Sequence, residues 1–214
     1  WHRMLLGTLF VLIYIIYNRG KLKISLPSLI KFAFVGLIIA LHWLAFFSAI
    51  KVSNVSITLA MMSTGAFFAS FLEPIFFKRK IIRYEVIFGL IVIIGLYIIF
   101  KVESEYLFGI LLALLASFLG ALFSIFNGIM VKSHNASVIS FYELLFGVLF
   151  ITIYVLFTDG FNVSFFKLSG NDWTYLLILA SICTAYAFIA SVHVMKWISP
   201  YTVMLTTNME PVYG

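Results

Sequence analysis

The sequence predicts an all-α polytopic membrane protein built from two inverted five-helix repeats and truncated at both ends. Three observations carry this reading. At 64% hydrophobic and 10% charged residues, with a mean hydropathy of +1.14, the chain is too apolar for a water-soluble domain. Its apolar residues fall into eight segments, most of them near the roughly 20 residues a helix needs to cross a hydrocarbon core. The first of these, Trp1–Tyr17, returns 140 residues later as Phe141–Phe157, with six of seventeen positions identical.

The segments are Trp1–Tyr17, Leu29–Ile50, Ser53–Phe77, Tyr84–Phe100, Leu107–Val131, Val138–Thr158, Trp173–Met195 and Tyr201–Gly214. None alternates polar and apolar residues as a membrane β-strand must. The repeat is anchored by Leu5/Leu145, Gly7/Gly147, Leu9/Leu149, Phe10/Phe150, Ile13/Ile153 and Tyr14/Tyr154. Apolar helices share leucines by chance, so Gly, Phe and Tyr in register carry the weight. A duplicated membrane unit points towards secondary transporters, whose solute site lies between the copies. The expected boundaries are 1–102 for the first repeat, lacking its first helix, and 106–214 for the second, lacking its last helix and a half. The last segment is too short to span, so the chain reads as an internal fragment of a protein of about ten helices.

Charge gives the orientation. Arg19, Lys21, Lys23, Lys31, Lys78, Arg79, Lys80, Arg83, Lys132 and Lys196 fall on one side, and Arg3, Lys51, Lys101 and Lys167 on the other. Ten against four is a positive-inside bias. It places the loops at 18–28, 78–83, 132–137 and 196–200 in the cytoplasm of a bacterial-type inner membrane. A five-helix unit is odd in number, so its second copy starts from the opposite face. The hairpins at Lys51 and Lys196 agree with that inversion. The net charge of +6 is dispersed in loops rather than gathered in a stripe, which excludes a nucleic-acid partner. The partners expected are a small-molecule solute and membrane lipids, and the fold admits a homodimer. Cys183 stands alone in a helix, so no disulfide framework exists, and it reads as packing.

The pattern resembles the EamA-type transporters of the drug/metabolite transporter superfamily. The resemblance rests on the five-plus-five arrangement and on the hairpin Ala49-Ile50-Lys51-Val52-Ser53, followed by a Ser/Thr- and Ala-rich helix. Its counterpart is Met195-Lys196-Trp197-Ile198-Ser199-Pro200, leading into Asn208-Met209-Glu210-Pro211-Val212. It covers nearly the whole chain, as helices two to nine of ten. It implies export or uptake of small metabolites by alternating access, with both termini of the parent in the cytoplasm. One departure is that the first-repeat match to Glu210-Pro211 is Gly65-Ala66, with Glu73-Pro74 eight residues further on.

Polar faces locate the expected solute pathway. In the third segment Ser56, Ala60, Ser63, Ala66, Ser70 and Glu73 recur at spacings of three and four, and in the last Thr202, Thr206 and Glu210 do the same. Lipid needs no hydroxyls, so these stripes should face the bundle, either lining a cavity or packing helices. The fifth segment carries a small-residue ladder, Ala116, Gly120, Ser124 and Gly128, with Asn127 beside it. Gly89 and Gly95 could act similarly in the fourth. Ionisable groups in a membrane helix cost roughly 2.5–3.5 kcal/mol each at mid-span and so point to function. Glu210 leads, with Pro211 loosening its helix and Pro74 marking a second kink. Glu143 is next; its repeat partner Arg3 should lie near the opposite face, so each serves its own side. Glu73 should pair with the nearby Lys78, Arg79 and Lys80. His42 and Trp43 sit near mid-helix, and Tyr142 and Tyr186 could wall a cavity. The pathway residues expected are therefore Glu210, Thr206, Ser63, His42, Trp43, Glu143 and Asn127.

No nucleophile elbow, P-loop, zincin or Cys/His metal pattern occurs, so neither catalysis nor a cofactor or metal is expected. The reading is a secondary-active carrier of a small organic metabolite, an amino acid or similar solute. The same fold carrying nucleotide-sugars or phosphorylated solutes is one alternative. A membrane assembly protein that transports nothing is the other.

Overall fold

A computed structural model describes residues 1–80, 82, 84, 87, 91–92, 94–95, 97–98, 101 and 104–207. Among these the structure is helical, without strands. The helices are α1 (His2–Tyr17), α2 (Leu26–Val52), α3 (Val55–Met62), α4 (Gly65–Phe77), α5 (Leu107–Met130), α6 (Ala136–Phe157), the short α7 (Val163–Phe166), α8 (Gly170–Ala180), α9 (Ala187–Val194) and α10 (Pro200–Thr207). A single 3₁₀ turn, Ser104–Tyr106, leads into α5, and a π-helical turn, Ser181–Tyr186, joins α8 to α9. Among the described residues, five stretches are long and apolar enough to cross a membrane: Leu26–Val52, Val55–Phe77, Leu107–Met130, Ala136–Phe157 and Gly170–Val194. Much of the fourth segment, with Gly89, and the end of the eighth, with Glu210 and Pro211, lie outside the described residues.

Helix ends follow local chemistry. Asn54 Oδ1 accepts from the Ile57 N–H at 2.9 Å at the start of α3. Ser169 and Asp172 form a reciprocal capping box on α8. Pro200 opens α10, where its missing N–H costs nothing. The ends of α1 and α6 repeat one another. Arg19 (φ 52) and Asp159 (φ 49) are both left-handed, and the next residue closes the turn through Gly20 N–H to Ile15 O at 2.8 Å and Gly160 N–H to Val155 O at 2.9 Å. The duplication therefore runs past Tyr17 and Phe157 into the turn, at the same offset of 140.

By its contacts the chain divides into two compact units, residues 1–40 with 130–196 and residues 41–129 with 197–214. Each unit draws on both sequence repeats. In the first, α1 and α6 are antiparallel neighbours. Trp1 Nε1 donates to Thr152 Oγ1 at 2.7 Å, while a Cβ placed on Gly147 would lie 2.8 Å from Met4 Sδ. The two copies of the repeated helix thus pack head to tail.

In the second unit, α5 is the spine. It runs parallel to α3 and α4, with Phe118 against Phe68 and Phe126 against Phe76. It runs antiparallel to the end of α2, where Ala49 joins Ile57, Met61, Ile110 and Ala113 in a buried cluster. Ala121 packs with Ala66, Ala69 and Tyr201, and Gly128 admits the Pro200 ring. The small-residue ladder expected of this helix is used for close approach. A Cβ on Gly95 would meet nothing within 4 Å among the described residues.

Candidate functional site

Two polar constellations stand out, one in each unit. In the second unit the stretch expected as one helix, Ser53–Phe77, forms one span over Val55–Phe77 with a locally tightened turn in it. α3 stops at Met62 and α4 starts at Gly65, with Ser63 and Thr64 between them. Side-chain hydroxyls close the carbonyls around the turn. Ser63 Oγ donates to Ala60 O at 2.7 Å. Thr64 Oγ1 lies 2.7 Å from Met61 O and 3.0 Å from Ser117 Oγ. Ser117 of α5 in turn donates to Met62 O at 3.1 Å. Irregular backbone at membrane depth persists where its polar groups are satisfied in this way.

The turn corrects the expected stripe. From Ala66 onwards the stripe is buried, with Ser70 and Glu73. Ahead of the turn the buried face is Ile57, Thr58, Met61 and Thr64 rather than Ser56, Ala60 and Ser63. The tightened turn resets the phase of the helix, and Thr64 takes the buried position next to α5. Pro74 lies inside α4, which continues through it to Phe77.

His42 reaches the same level of α5. Its Nδ1 donates to the Ala116 carbonyl at 2.7 Å, one residue from Ser117. Gly120 leaves room for the ring, since a Cβ there would sit 3.3 Å from the imidazole. Phe46 stacks on the ring and Phe123 meets it edge-on. A carbonyl can only accept, so the hydrogen bond fixes the proton on Nδ1 and leaves Nε2 as the free lone pair of the neutral ring. Trp43, half-buried, meets Phe47 edge-on at 6.1 Å.

The other expected residues scatter. Thr206 is exposed, and its hydroxyl bonds back to Thr202 O at 2.9 Å. Asn127 is fully buried on α5, beside Ser124. Glu143 is fully buried in α6, in the first unit. Glu73 does pair with Arg79 (3.0 Å) but also accepts the Tyr201 N–H at 2.8 Å, so it caps α10.

In the first unit, Arg3, expected to gate its own side or snorkel to the interface, meets the π-helical turn, where Nε donates to Thr184 Oγ1 at 2.7 Å and Nη2 to Cys183 O at 3.1 Å. Thr184 Oγ1 donates to Leu179 O, five residues back. Cys183, expected to pack, is exposed. A cavity of about 460 Å³ opens between α1, this turn and α9, with Phe10, Tyr14, Ser181, Tyr186 and His193 on its walls. Tyr186 lines it as expected. Tyr142 does not, its hydroxyl donating to Leu22 O at 2.8 Å. Sequence reading missed Thr64 and the Arg3–Thr184 contact, and read Ser117 only as part of the small-residue face of α5. Only the register of hydroxyls at positions 64 and 117 could have hinted at their pairing.

Apolar spans, an antiparallel duplicated helix, and polar side chains gathered within a span are features of a helical membrane transporter. The sequence model of the EamA-like transporter family matches residues 1–101 and again 107–214, and the chain belongs to that family. A solved crystal structure of another protein, 16% identical, aligns over 99% of this chain and 73% of its own with a TM-score of 0.73. At that identity the likeness is one of fold. No curated protein sequence matches the chain. The protein is an integral membrane protein of a family that transports small solutes.

Proposed function

We propose that the protein is a secondary-active transporter of a small organic metabolite, an amino acid or similar solute, working by alternating access between inverted repeats. The observation that carries the reading is the polar cluster inside one apolar span, where Thr64 and the Met62 carbonyl meet Ser117 at the level of His42. Polar groups gathered within a helical membrane bundle mark a solute pathway. The antiparallel packing of α1 on α6 supports inversion. Basic loops at 18–28, 78–83, 132–137 and 196–200 support a cytoplasmic assignment for that side. Glu210 is the carboxylate assigned by sequence to coupling or amine recognition, and His42 offers Nε2 to the solute.

The test is counterflow in proteoliposomes of the full-length protein with pooled labelled amino acids and amines, wild type beside Glu210→Gln. Uptake by the wild type that collapses in the variant is the expected result. Uptake unchanged by the substitution returns Glu210 to structure. No uptake by folded wild type removes this solute class.

A further inference from the structure

Ser124 and Asn127 lie one turn apart on α5 and are only 1% and 0% exposed. Ser124 Oγ and both polar atoms of the Asn127 amide have no hydrogen-bond partner among the described residues. The contrast within the same unit is sharp. The hydroxyls of Ser53, Thr58, Ser63, Thr64, Ser70 and Ser117 each reach a carbonyl. Ser124 does not even bond back to its own helix, the usual default for a buried serine. Groups left without partners in a dry interior are costly, and a native chain keeps them where something else fills them.

The surroundings state what kind of group that is. Ala121, one turn before, and Gly128, just after, are closed by Tyr201 and Pro200. The carboxylate of the unit's buried ion pair is taken at both oxygens, by Arg79 and by the Tyr201 N–H. The pair itself is uncharged and offers donors together with acceptors.

Building on the transporter reading, we propose that Ser124 and Asn127 form a subsite for a small neutral hydrogen-bonding group of the solute, a carboxamide or a hydroxyl. The pair is reached from water in another state of the transport cycle. Burial on the unit's packed face in this state and access in another is what alternating access requires of a pathway residue.

The test does not depend on knowing the solute. Full-length protein with Cys183→Ser and no other reactive cysteine carries Ser124→Cys, or Thr58→Cys as the satisfied control outside the proposed pathway, in sealed vesicles. It is treated with the membrane-impermeant 2-(trimethylammonium)ethyl methanethiosulfonate. Position 124 is expected to react at least about tenfold faster than 58, because reaction follows opening to water. Acetamide at about 100 mM should slow it about threefold, whereas sodium acetate or methylammonium should not, as befits weak fragment binding. Equal rates at 124 and 58 overturn the proposal. So does protection by the charged probes as strong as by acetamide, or no protection by acetamide. Asn127→Cys replaces Ser124→Cys if the latter fails to fold, as judged by its melting temperature. A protein that labels as expected yet shows no counterflow would count against the solute class proposed above, not against the subsite.

Discussion

Glu73 and Tyr201 are joined by a hydrogen bond from the Tyr201 N–H to Glu73 Oε2 at 2.8 Å, while Oε1 holds Arg79 Nε at 3.0 Å. The glutamate therefore caps the first turn of α10 from a neighbouring helix. Pro200 has no N–H, and Ser199 Oγ takes the Thr202 N–H at 3.2 Å, so Glu73 satisfies the donor between them.

Removing this carboxylate leaves a buried N–H and a guanidinium without their acceptor. Glu73→Ala is expected to destabilise the protein by about 2–4 kcal/mol, and Glu73→Gln by less because the amide oxygen still accepts from Tyr201. Thermal melting in detergent checks the order, alanine below glutamine below wild type. Equal melting temperatures for all three would show that the contact contributes nothing.

Arg3 on Thr184 makes a second prediction. The threonine hydroxyl both receives the Arg3 Nε hydrogen and donates to Leu179 O across the π-helical turn. Thr184→Val keeps the shape but removes one acceptor of the Arg3 guanidinium, which keeps the Cys183 carbonyl, so a loss of about 1 kcal/mol is expected, and Thr184→Ser should recover most of it. Denaturation of the purified variants gives the comparison. A valine variant as stable as wild type would mean that Arg3 finds an equivalent acceptor.

Glycines at close approach divide sharply from the open one. A Cβ on Gly36 would lie 2.5 Å from Phe146 Cβ and 3.0 Å from the Glu143 carbonyl, and one on Gly128 would lie 2.5 Å from the Pro200 ring. Neither neighbour can give way easily, so Gly36→Ala and Gly128→Ala should each cost about 1–3 kcal/mol by overpacking. Gly95→Ala, with nothing within 4 Å among the described residues, should be neutral. Expression yield and melting temperature of the three variants test the ranking.

The architecture could be read from the chain because membrane burial writes itself in composition. The eight apolar segments, the repeat at Gly7/Gly147 and the small face of α5 all follow from what lipid and close packing require. The turn at Arg19-Gly20 and Asp159-Gly160 was equally visible, yet left-handed Arg and Asp conceal a motif usually signalled by glycine. The tightened turn at Ser63–Thr64 was not legible, since no proline marks it and the hydroxyl it meets on α5 is more than fifty residues away in sequence. Pro74, the conspicuous signal, lies in an unbroken helix. Candidate site residues were chosen by type: His42 meets α5 at Ala116, while the hydroxyls of Ser63 and Thr206 bond back to their own helices, as a hydroxyl at helical spacing can whether or not it also lines a cavity.

His42 gives the prediction that bears most directly on function. Its Nδ1 hydrogen bond goes to the Ala116 carbonyl, which sits inside α5 and keeps its helical donor if the imidazole is removed. Phe46 and Phe123 already surround the ring with aromatic faces. His42→Phe should therefore fold with a stability loss of about 1 kcal/mol or less, since only a second bond to one carbonyl disappears. The same change deletes the Nε2 lone pair, the feature offered to a solute or a proton. Counterflow by the phenylalanine variant should fall at least about tenfold, corresponding to about 1.4 kcal/mol of lost interaction, with the melting temperature nearly unchanged. Transport and stability that fall together would make His42 a structural residue. Transport retained in a stable variant would remove it from the solute pathway.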